Sequence, residues 1–359
     1  MISGGGTGGH IYPAISIAQV LREILQHVDI LFVGAKGKME MEKVPKDGFK
    51  IEGLWISGIQ RRLSGQNLLF PFKLISSLLG ALKLIKKFNP DVVVGVGGYA
   101  SGPLLCVASK KGIPTLIQEQ NSYAGLTNKL LAKSVDKICV AHEGMEKYFP
   151  KEKLVITGNP VRKTIKLNPN RIKEAYSHFE LDSDKPILLV IGGSLGARSI
   201  NEFILAGLEK LKKGDIQLIW QCGSHYYREM AKRSEGRGGK VILKDFIFQM
   251  DFAYGIADVV ISRAGALSIA ELMLTGKPSI LVPSPNVAED HQTINALALV
   301  ERAAAKMVKD AEAMDKLINE ALSLLEDKSG QEELSMNIQA MAHENAALDI
   351  ANEIVKLTE

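Results

Sequence analysis

Three glycine-rich turns are the parts of this sequence best suited to hold a phosphorylated or hydroxyl-rich ligand. They cover residues 4–10 (GGGTGGH), 95–102 (GVGGYASG) and 192–197 (GGSLGA). Each follows a predicted strand, and in open α/β sheets ligands bind beyond the carboxyl ends of the strands, where helix N-termini offer backbone N–H groups. The three turns therefore predict a site for an anionic or hydroxyl-rich ligand.

His10 is the side chain of the first turn that can do acid–base chemistry. It follows the glycines directly and opens the predicted helix, where the positive end of the helix dipole disfavours the imidazolium form. A neutral imidazole can take a proton from a hydroxyl group, which makes His10 the candidate general base. The alternative interpretation is that His10 only caps the helix or hydrogen-bonds the loop.

Two common nucleotide chemistries are disfavoured. Gly4, Gly6 and Gly9 satisfy the pattern G-x-G-x-x-G, but a dinucleotide site needs an acidic residue after the second strand, and residues 34–36 there read GAK. None of the three Gly-Lys pairs is followed by Ser or Thr, so there is no Walker A motif. Neither hydride transfer nor phosphoryl transfer is expected.

A metal site is not expected either. The one D-x-D motif, Asp182-Ser183-Asp184, precedes the strand predicted at residues 187–191. That position is the amino edge of the sheet, opposite the edge where ligands bind, so a solvated turn is the better interpretation. No His or Cys cluster has ligand spacing.

Apolar, β-rich runs alternate with helix-period segments along the chain. The runs are residues 30–33, 92–96, 115–117, 137–140 and 154–156, followed by 187–191, 217–220, 240–243, 258–261 and 279–282. Such alternation is typical of parallel sheets covered by helices on both faces. We therefore expect an α/β protein with two doubly wound, Rossmann-like domains facing a cleft.

Turn residues cluster at residues 158–161 and mark the expected boundary. The predicted domains are residues 1–160 and 161–340, with a C-terminal helix in residues 341–359 that packs back on the N-terminal domain. Only three residues precede the first turn, so the first strand is either unusually short or begins upstream.

The composition is that of a globular protein large enough for two domains. The chain has 359 residues, of which 46% are hydrophobic and 23% charged. It contains no apolar run long enough to span a bilayer, and Met1 is not followed by a secretory signal, so we expect a cytoplasmic protein. Cys106, Cys139 and Cys222 lie far apart without redox or ligand spacing and are interpreted as reduced core thiols.

The basic residues are concentrated in the N-terminal half. Residues 1–160 hold 20 Lys and Arg against 12 Asp and Glu, and no acidic residue occurs between Glu52 and Asp91. Basic residues beside apolar ones suit an anionic lipid surface, although an amphipathic helix with a solvated basic face gives the same pattern. Nucleic acid is not expected because no recognition motif accompanies the charge. The candidate membrane-facing residues are Arg61, Arg62, Phe70, Phe72, Lys73, Leu78, Leu79, Lys83, Lys86 and Lys87.

Seven motifs, in order and across both halves, resemble those of the bacterial MurG-type N-acetylglucosaminyltransferases. They are residues 4–10, 98–103 (GYASGP), 119–121 (EQN) with 125–129 (GLTNK), 158–162 (GNPVR), 192–194 (GGS), 262–267 (SRAGAL) with Glu271, and Gln292 with residues 295–296. The resemblance covers nearly the whole chain. It implies a GT-B fold and inverting transfer of N-acetylglucosamine from UDP-N-acetylglucosamine to the undecaprenyl-linked lipid I of peptidoglycan synthesis.

The resemblance also implies where the enzyme works and what it binds. The N-terminal domain would hold the acceptor lipid at the cytoplasmic face of the cell membrane, as a peripheral protein and a member of a cell-wall synthesis complex. The C-terminal domain would hold most of the donor. No cofactor is implied, since the donor's diphosphate is itself the leaving group.

Particular residues take donor-binding roles by the same resemblance. Glu271 would bind the ribose hydroxyls, Ile247 the uracil through its backbone, and Gln292 the sugar. The Ser194 hydroxyl is chemically suited to the diphosphate, and Arg162 either adds charge there or pairs with a carboxylate. The remaining candidates are Ala266, Leu267, Ser268, Ile269 and Ala270 for the ribose and diphosphate wall, and Thr7, Gly8, Gly9 and Asn121 on the N-terminal side.

Two positions depart from the family pattern, and two other functions stay open. Leu195 and His291 each stand where glutamine is common, which affects donor-sugar recognition.

A UDP-sugar epimerase of similar architecture would need carboxylates of the N-terminal domain facing the sugar. A non-catalytic membrane-recruiting subunit would keep the basic segment and lose the nucleotide site.

Overall fold

The computed structural model describes residues 1–58, 69–166, 168–287 and 290–359. The chain forms two compact units, one of Met1–Arg162 with Asn345–Glu359 and the other of Lys163–Glu344. Arg61 and Arg62, which belong to the candidate membrane-facing residues, lie outside the described residues.

The N-terminal unit contains a seven-stranded parallel sheet with the order β3-β2-β1-β4-β5-β6-β7. Its strands are β1 (Ile2–Ser3), β2 (Leu31–Ala35), β3 (Lys50–Leu54), β4 (Val93–Gly95), β5 (Thr115–Glu119), β6 (Lys137–Val140) and β7 (Leu154–Ile156). Its helices are α1 (Gly8–Ile24), α2 (Glu40–Lys46), α3 (Phe70–Phe88), α4 (Ser101–Lys110) and α5 (Leu126–Leu131). Because the strand order changes direction between β1 and β4, the turns after these two strands lie at the switch point where doubly wound sheets bind ligands.

The C-terminal unit contains a six-stranded parallel sheet with the order β10-β9-β8-β11-β12-β13. Its strands are β8 (Ile187–Ile191), β9 (Gln217–Gln221), β10 (Val241–Lys244), β11 (Val259–Ser262), β12 (Ser279–Leu281) and β13 (Lys306–Met307). Its helices are α6 (Ile172–Phe179), α7 (Arg198–Lys213), α8 (Tyr227–Ser234), α9 (Met250–Ile256), α10 (Ala266–Thr275), α11 (His291–Val300), α12 (Ala313–Glu326) and α13 (Lys328–Ala340). The switch point of this sheet lies between β8 and β11.

Single turns of 3₁₀-helix complete the secondary structure of the described residues. They are Met145–Lys147, Lys151–Lys153, Lys163–Ile165, Pro169–Arg171 and Asp310–Glu312. The fold class expected from the sequence, two doubly wound parallel sheets, is confirmed. The edge strands β3 and β13 were not among the predicted strands.

The last helix, α14 (Ala346–Lys356), belongs to the N-terminal unit. Its apolar face, with Ile350 and Ile354, packs in the same core as Ile11 and Ile15 of α1. The first helix is therefore buried between its own sheet and the returning chain.

The three cysteines carry free thiols. Cys139 and Cys222 are buried and Cys106 is half-buried. Burial raises the pKa of the Cys139 thiol to about 12 and that of Cys222 to about 11. Both buried thiols thus stay protonated at neutral pH, as core residues do.

Candidate active site

In the N-terminal unit, the turns after β1 and β4 pack against each other through backbone atoms. The Gly5 N–H donates to the Gly97 carbonyl oxygen at 3.3 Å. Gly98 has a φ of 90°, and a Cβ there would lie 2.5 Å from the carbonyl oxygen of Gly5. Only glycine permits this approach, so the two glycine-rich turns form one continuous surface.

His10 lies in the first turn of α1 with its ring held by the loop. Its Nδ1 is 3.0 Å from the carbonyl oxygen of Gly5. Because a carbonyl only accepts, Nδ1 must carry the proton, and in the neutral ring Nε2 then holds the lone pair. A Cβ at Gly97 would lie 2.7 Å from this Nε2, so glycine at that position leaves it room. The hydrogen bond to the loop, which is the alternative interpretation of His10, is therefore present. The same bond would also orient the ring of a general base.

Glu40, at the start of α2, hydrogen-bonds the first glycine-rich turn. The sequence analysis did not identify this residue. Its side chain is 1% exposed. One carboxylate oxygen accepts from the Gly6 N–H at 2.8 Å and the other from the Ala35 N–H at 2.9 Å. A Cβ at Gly34 would lie 2.6 Å from the Glu40 side chain, so that glycine clears the space. The carboxylate thus ties the end of β2 to the turn that carries His10.

A second buried carboxylate organises the loop after β5. Glu119, 2% exposed, accepts from the Gly125 N–H at 2.8 Å and from the Asn128 side-chain amide at 2.9 Å. The Asn121 amide nitrogen donates to the same carboxylate at 3.3 Å. Asn121, a predicted binding residue, is therefore oriented by Glu119, which was not among the predicted residues.

The other predicted binding residues of this unit differ in exposure. Thr7 and Gly9 are exposed, whereas Gly8 is buried. The Arg162 guanidinium lies over the Tyr12 ring, 5.2 Å from its centroid. Burial raises the pKa of the Asp47 carboxyl, and the positive charge of Arg162 opposes that shift. The Tyr12 ring is thus the observed contact of the Arg162 guanidinium.

In the C-terminal unit, the turn after β8 is supported by the backbone that follows β9. The Gly196 N–H donates to the Gly193 carbonyl at 3.1 Å, and both glycines have positive φ. A Cβ at Gly196 would lie 2.8 Å from the carbonyl carbon of Cys222. Ser194 is half-buried in this turn and Leu195 is exposed.

Glu271, on α10, has an orienting partner that sequence reasoning missed. The buried Tyr254 of α9 donates its hydroxyl to a Glu271 carboxylate oxygen at 3.0 Å. The position of Tyr254 inside a helix-period segment gave no signal of this role. A carboxylate held in one orientation is suited to accept hydrogen bonds from a pair of hydroxyl groups.

The six residues of the predicted wall fall on two faces of α10. Leu267, Ser268 and Glu271 are half-buried. The other three side chains, those of Ala266, Ile269 and Ala270, are buried. Only the first group therefore has side chains that a ligand could contact, whereas the side chains of the second group are packed inside the domain.

Side chains of α11 and a buried ion pair fix the loops after β11 and β12. Gln292 accepts from the Ser284 N–H at 2.9 Å, and the Asn295 amide donates to the Ala264 carbonyl at 3.3 Å. Arg263 is buried and pairs with Asp310 at 2.5 Å. Gln292 is half-buried, and His291 begins the helix. These contacts hold the loop that leads into α10.

The base-binding candidate Ile247 has a buried side chain in the loop after β10. Its N–H donates to the side-chain oxygen of Gln221 at 2.9 Å. A base would therefore meet the carbonyl of Ile247, an acceptor suited to the N3–H of uracil.

No group of three or more His, Cys, Asp or Glu side chains in the described residues could hold a metal ion. In the D-x-D motif, the Asp184 N–H donates to the Asp182 carboxylate at 2.9 Å. The motif thus forms a turn with an internal hydrogen bond.

Helix α3 carries the apolar and basic residues singled out in the sequence. Phe72, Leu79, Lys83, Lys86 and Lys87 are exposed, and so are Leu69 and Ile75, which were not predicted. Leu78 is half-buried. Phe70 packs against the domain core, and Lys73 donates to the Ser57 hydroxyl at 2.9 Å. Phe70 and Lys73 are therefore partly withdrawn from the exposed face.

Across residues 1–58, 69–166, 168–287 and 290–359, no helix meets the length and apolarity needed to cross a membrane.

Comparison with known proteins agrees with this arrangement. Residues 1–140 match the N-terminal domain model of glycosyltransferase family 28, and residues 187–354 match its C-terminal domain model. A curated relative from Cytophaga hutchinsonii is 54% identical over 357 residues, 99% of this chain and 96% of its own length. It is named UDP-N-acetylglucosamine–N-acetylmuramyl-(pentapeptide) pyrophosphoryl-undecaprenol N-acetylglucosamine transferase.

Solved structures give the same result. The crystal structure of Acinetobacter baumannii MurG superposes with a TM-score of 0.77 at 28% identity, covering 99% of this chain and 98% of that one. The UDP-GlcNAc 2-epimerase from Neisseria meningitidis, bound to UDP-GlcNAc, has a TM-score of 0.71 at 16% identity, with 99% and 98% coverage. The epimerase shares the fold alone.

Two Rossmann-like parallel sheets, each with a glycine-rich turn at its switch point, are the architecture of the GT-B glycosyltransferases, which include the matched MurG structure. Within that class, the chain belongs to glycosyltransferase family 28. The family resemblance noted in the sequence is thereby confirmed.

Proposed function

We propose that this protein transfers N-acetylglucosamine from UDP-N-acetylglucosamine to undecaprenyl-pyrophosphoryl-N-acetylmuramyl-pentapeptide, the step of peptidoglycan synthesis that converts lipid I to lipid II. The observation that carries the proposal is the orientation of His10, whose Nδ1 hydrogen-bonds the Gly5 carbonyl. The chain is also 54% identical, over nearly its full length, to a curated relative named for this transfer.

In the proposed reaction, Nε2 of His10 takes the proton of the acceptor's 4-hydroxyl as its oxygen attacks C1 of the donor sugar. The bond between C1 and the diphosphate oxygen breaks, and its electron pair leaves with UDP. Attack opposite the leaving group inverts the configuration at C1. The Ser194 hydroxyl, the N–H groups at the start of α7 and the Arg162 charge stabilise the developing negative charge of the diphosphate.

The remaining candidate residues each bind a different part of the substrates. The Ile247 carbonyl accepts from uracil, Glu271 accepts from the ribose hydroxyls, and Gln292 contacts the sugar. Leu267 and Ser268 line the ribose and diphosphate wall, with Ala266, Ile269 and Ala270 forming the backbone behind it. Thr7, Gly8, Gly9 and Asn121 bind the sugar or the acceptor from the N-terminal domain.

Transfer is favoured over epimerisation by the two carboxylates that contact the predicted binding loops of the N-terminal unit. An epimerase would need carboxylates facing the sugar, whereas Glu40 and Glu119 are buried and bonded to backbone N–H groups. A non-catalytic subunit is disfavoured because the chain retains His10, Ser194 and an oriented Glu271.

The test combines binding with product analysis. The protein is titrated with UDP-N-acetylglucosamine, UDP-glucose and UDP, and then incubated with donor and a short-chain, water-soluble analogue of the lipid acceptor. We expect binding of UDP and of UDP-N-acetylglucosamine, weaker binding of UDP-glucose, and a disaccharide product. Epimerised sugar nucleotide without disaccharide would overturn the proposal. The UDP-glucose arm also measures how well a site with Leu195 and His291 discriminates between donor sugars.

We further propose that the reaction takes place at the cytoplasmic face of the membrane, with the protein as a member of a cell-wall synthesis complex. Helix α3 supports a peripheral attachment, because exposed apolar residues and Lys83, Lys86 and Lys87 share one helix. Each basic residue near an anionic bilayer contributes about 1 kcal/mol of binding free energy.

Changing Lys83, Lys86 and Lys87 together to glutamate should abolish most co-sedimentation with anionic vesicles and leave activity on the water-soluble acceptor intact. A matched control changes Lys210, Lys212 and Lys213, which lie in the last turn of α7, by the same charge. Raising the salt concentration should weaken vesicle binding of the parent by screening. Equal vesicle binding by both triple variants would make α3 an ordinary structural helix.

A further inference from the structure

Gln221 connects two loops of the proposed donor site within the C-terminal unit. It is the last residue of β9, and its side chain is 3% exposed. Its amide nitrogen donates to the Gly193 carbonyl at 3.0 Å, and its amide oxygen accepts from the Ile247 N–H at 2.9 Å. One side chain therefore bonds both the glycine turn after β8 and the loop after β10.

The sheet order explains why a residue at this position can reach both loops. Strand β9 lies between β8 and β10, so its carboxyl end lies between the turn that follows each neighbour. The two contacts require one donor and one acceptor on the same group, which a primary amide supplies without adding charge beside the diphosphate turn.

We propose that Gln221 is a positioning residue that sets the spacing between the uracil-binding loop and the diphosphate-binding turn. This inference rests on the proposed function, because it takes UDP as the ligand that spans the two loops. Gln221 acts through Ile247 and Gly193 and does not touch the ligand. A fixed spacing lowers the ordering cost of binding for a ligand that needs both ends at once, and does little for a ligand that needs only one.

The same strand supplies a matched control at its opposite end. Gln217 begins β9 and is also 3% exposed. Its amide oxygen accepts from the Asp182 N–H at 2.8 Å and its amide nitrogen donates to the Asp182 carbonyl at 2.7 Å. The Gln217 amide nitrogen also donates to the Lys185 carbonyl at 3.4 Å. Replacing either glutamine by leucine therefore removes a buried, hydrogen-bonded amide from β9, but only Gln221 is at the ligand end.

The experiment compares Gln221→Leu, Gln217→Leu and the parent by titration with UDP, with uridine and with inorganic pyrophosphate. Gln221→Leu should weaken UDP binding about 10-fold, which corresponds to about 1.4 kcal/mol, because the two loops that UDP spans are no longer joined. Uridine and pyrophosphate, which each need one loop, should lose less than about 3-fold. Gln217→Leu should bind all three as the parent does while melting at a lower temperature.

A second variant keeps half of the connection. In Gln221→Glu a carboxylate oxygen can still accept from Ile247, but no N–H remains for the Gly193 carbonyl. This variant should bind uridine like the parent. The added negative charge weakens binding of UDP and of pyrophosphate alike, so a greater loss for UDP than for pyrophosphate measures the effect of spacing. The variant also keeps the test decisive if Gln221→Leu fails to fold.

The possible results separate the two proposals. A parent protein that does not bind UDP would overturn the proposed function. A parent that binds UDP, with Gln221→Leu matching Gln217→Leu in UDP affinity, would overturn the positioning role alone. Equal losses for UDP, uridine and pyrophosphate would also overturn it, because spacing affects only a ligand that spans both loops.

Discussion

The glycine-rich turns after β1 and β8 occupy the same position in their two sheets but differ in what supports them. Beneath the first turn lies the buried carboxylate of Glu40, which accepts from the Gly6 N–H. The third turn is held by the neutral amide of Gln221, which donates to the Gly193 carbonyl. A fixed negative charge disfavours a second anion close by, whereas a neutral support does not.

From this difference we infer different ligand chemistry for the two turns. The first turn, with a carboxylate below it and His10 at its end, suits a neutral sugar hydroxyl that must lose a proton. The third turn, with Ser194 and the N-terminus of α7, suits a diphosphate. In the proposed reaction, similar glycine patterns therefore serve different steps, and residues outside the turns make the difference.

The largest effect should come from the first turn itself. His10→Ala should lower turnover by about 10²- to 10⁴-fold, the range for losing a general base. UDP affinity, measured by titration, should be unchanged, because the nucleotide is assigned to the other domain. His27→Ala, at an exposed histidine of the same domain, is the control. Turnover within a few-fold of the parent would show that His10 is not the base.

Removing the charge beneath the first turn should have the next largest effect. Glutamine at position 40 has one acceptor oxygen for two N–H groups, so Gly6 or Ala35 loses its partner. We expect turnover to fall about 10- to 100-fold in Glu40→Gln, since each bond to a charged group is worth about 1.5–3 kcal/mol. UDP affinity should stay constant.

Glu42→Gln makes the same change at an exposed position of α2 and should leave turnover unchanged. If Glu40→Gln weakened UDP binding as strongly as it lowered turnover, the two turns would not be functionally distinct.

On the donor side, Glu271→Ala should weaken UDP binding by about 1–3 kcal/mol, because the ribose hydroxyls lose charged acceptors. Isothermal titration with UDP and with pyrophosphate measures this loss. Pyrophosphate affinity should be unaffected, since it has no ribose. Unchanged UDP affinity would contradict the ribose assignment.

The smallest effect should come from the residue that orients Glu271. Tyr254→Phe removes one hydroxyl donor and should weaken UDP binding by about 0.5–1.5 kcal/mol. In the Glu271→Ala background the same change should have no further effect on UDP affinity, because the carboxylate it orients is absent. Additive losses in the double variant would mean that Tyr254 acts independently of Glu271.

The sequence predicted those features that depend on local pattern. Buried parallel strands such as β8 are continuous apolar runs, and the glycine turns are local motifs. Strand β3 was missed because its residues KIEGL alternate between exposed and half-buried at a sheet edge and form no continuous apolar run.

The supports of the site could not be predicted in the same way. Glu40 and Gly6 are 34 positions apart, and Gln221 and Ile247 are 26 apart. A single buried glutamate or glutamine carries no local signature of its distant partner, and only the strand order brings each pair together. The same holds for Tyr254 and Glu271, which lie on different helices.

The return of α14 to the N-terminal domain sets an order of events during synthesis. Domains generally fold as units while the chain emerges from the ribosome, the N-terminal one first. Here the face of α1 that α14 covers stays exposed until the whole second domain has been translated. The domain that carries His10 therefore completes its core last. A chain that stalls before residue 346 leaves this apolar face of α1 exposed, where a chaperone can bind it.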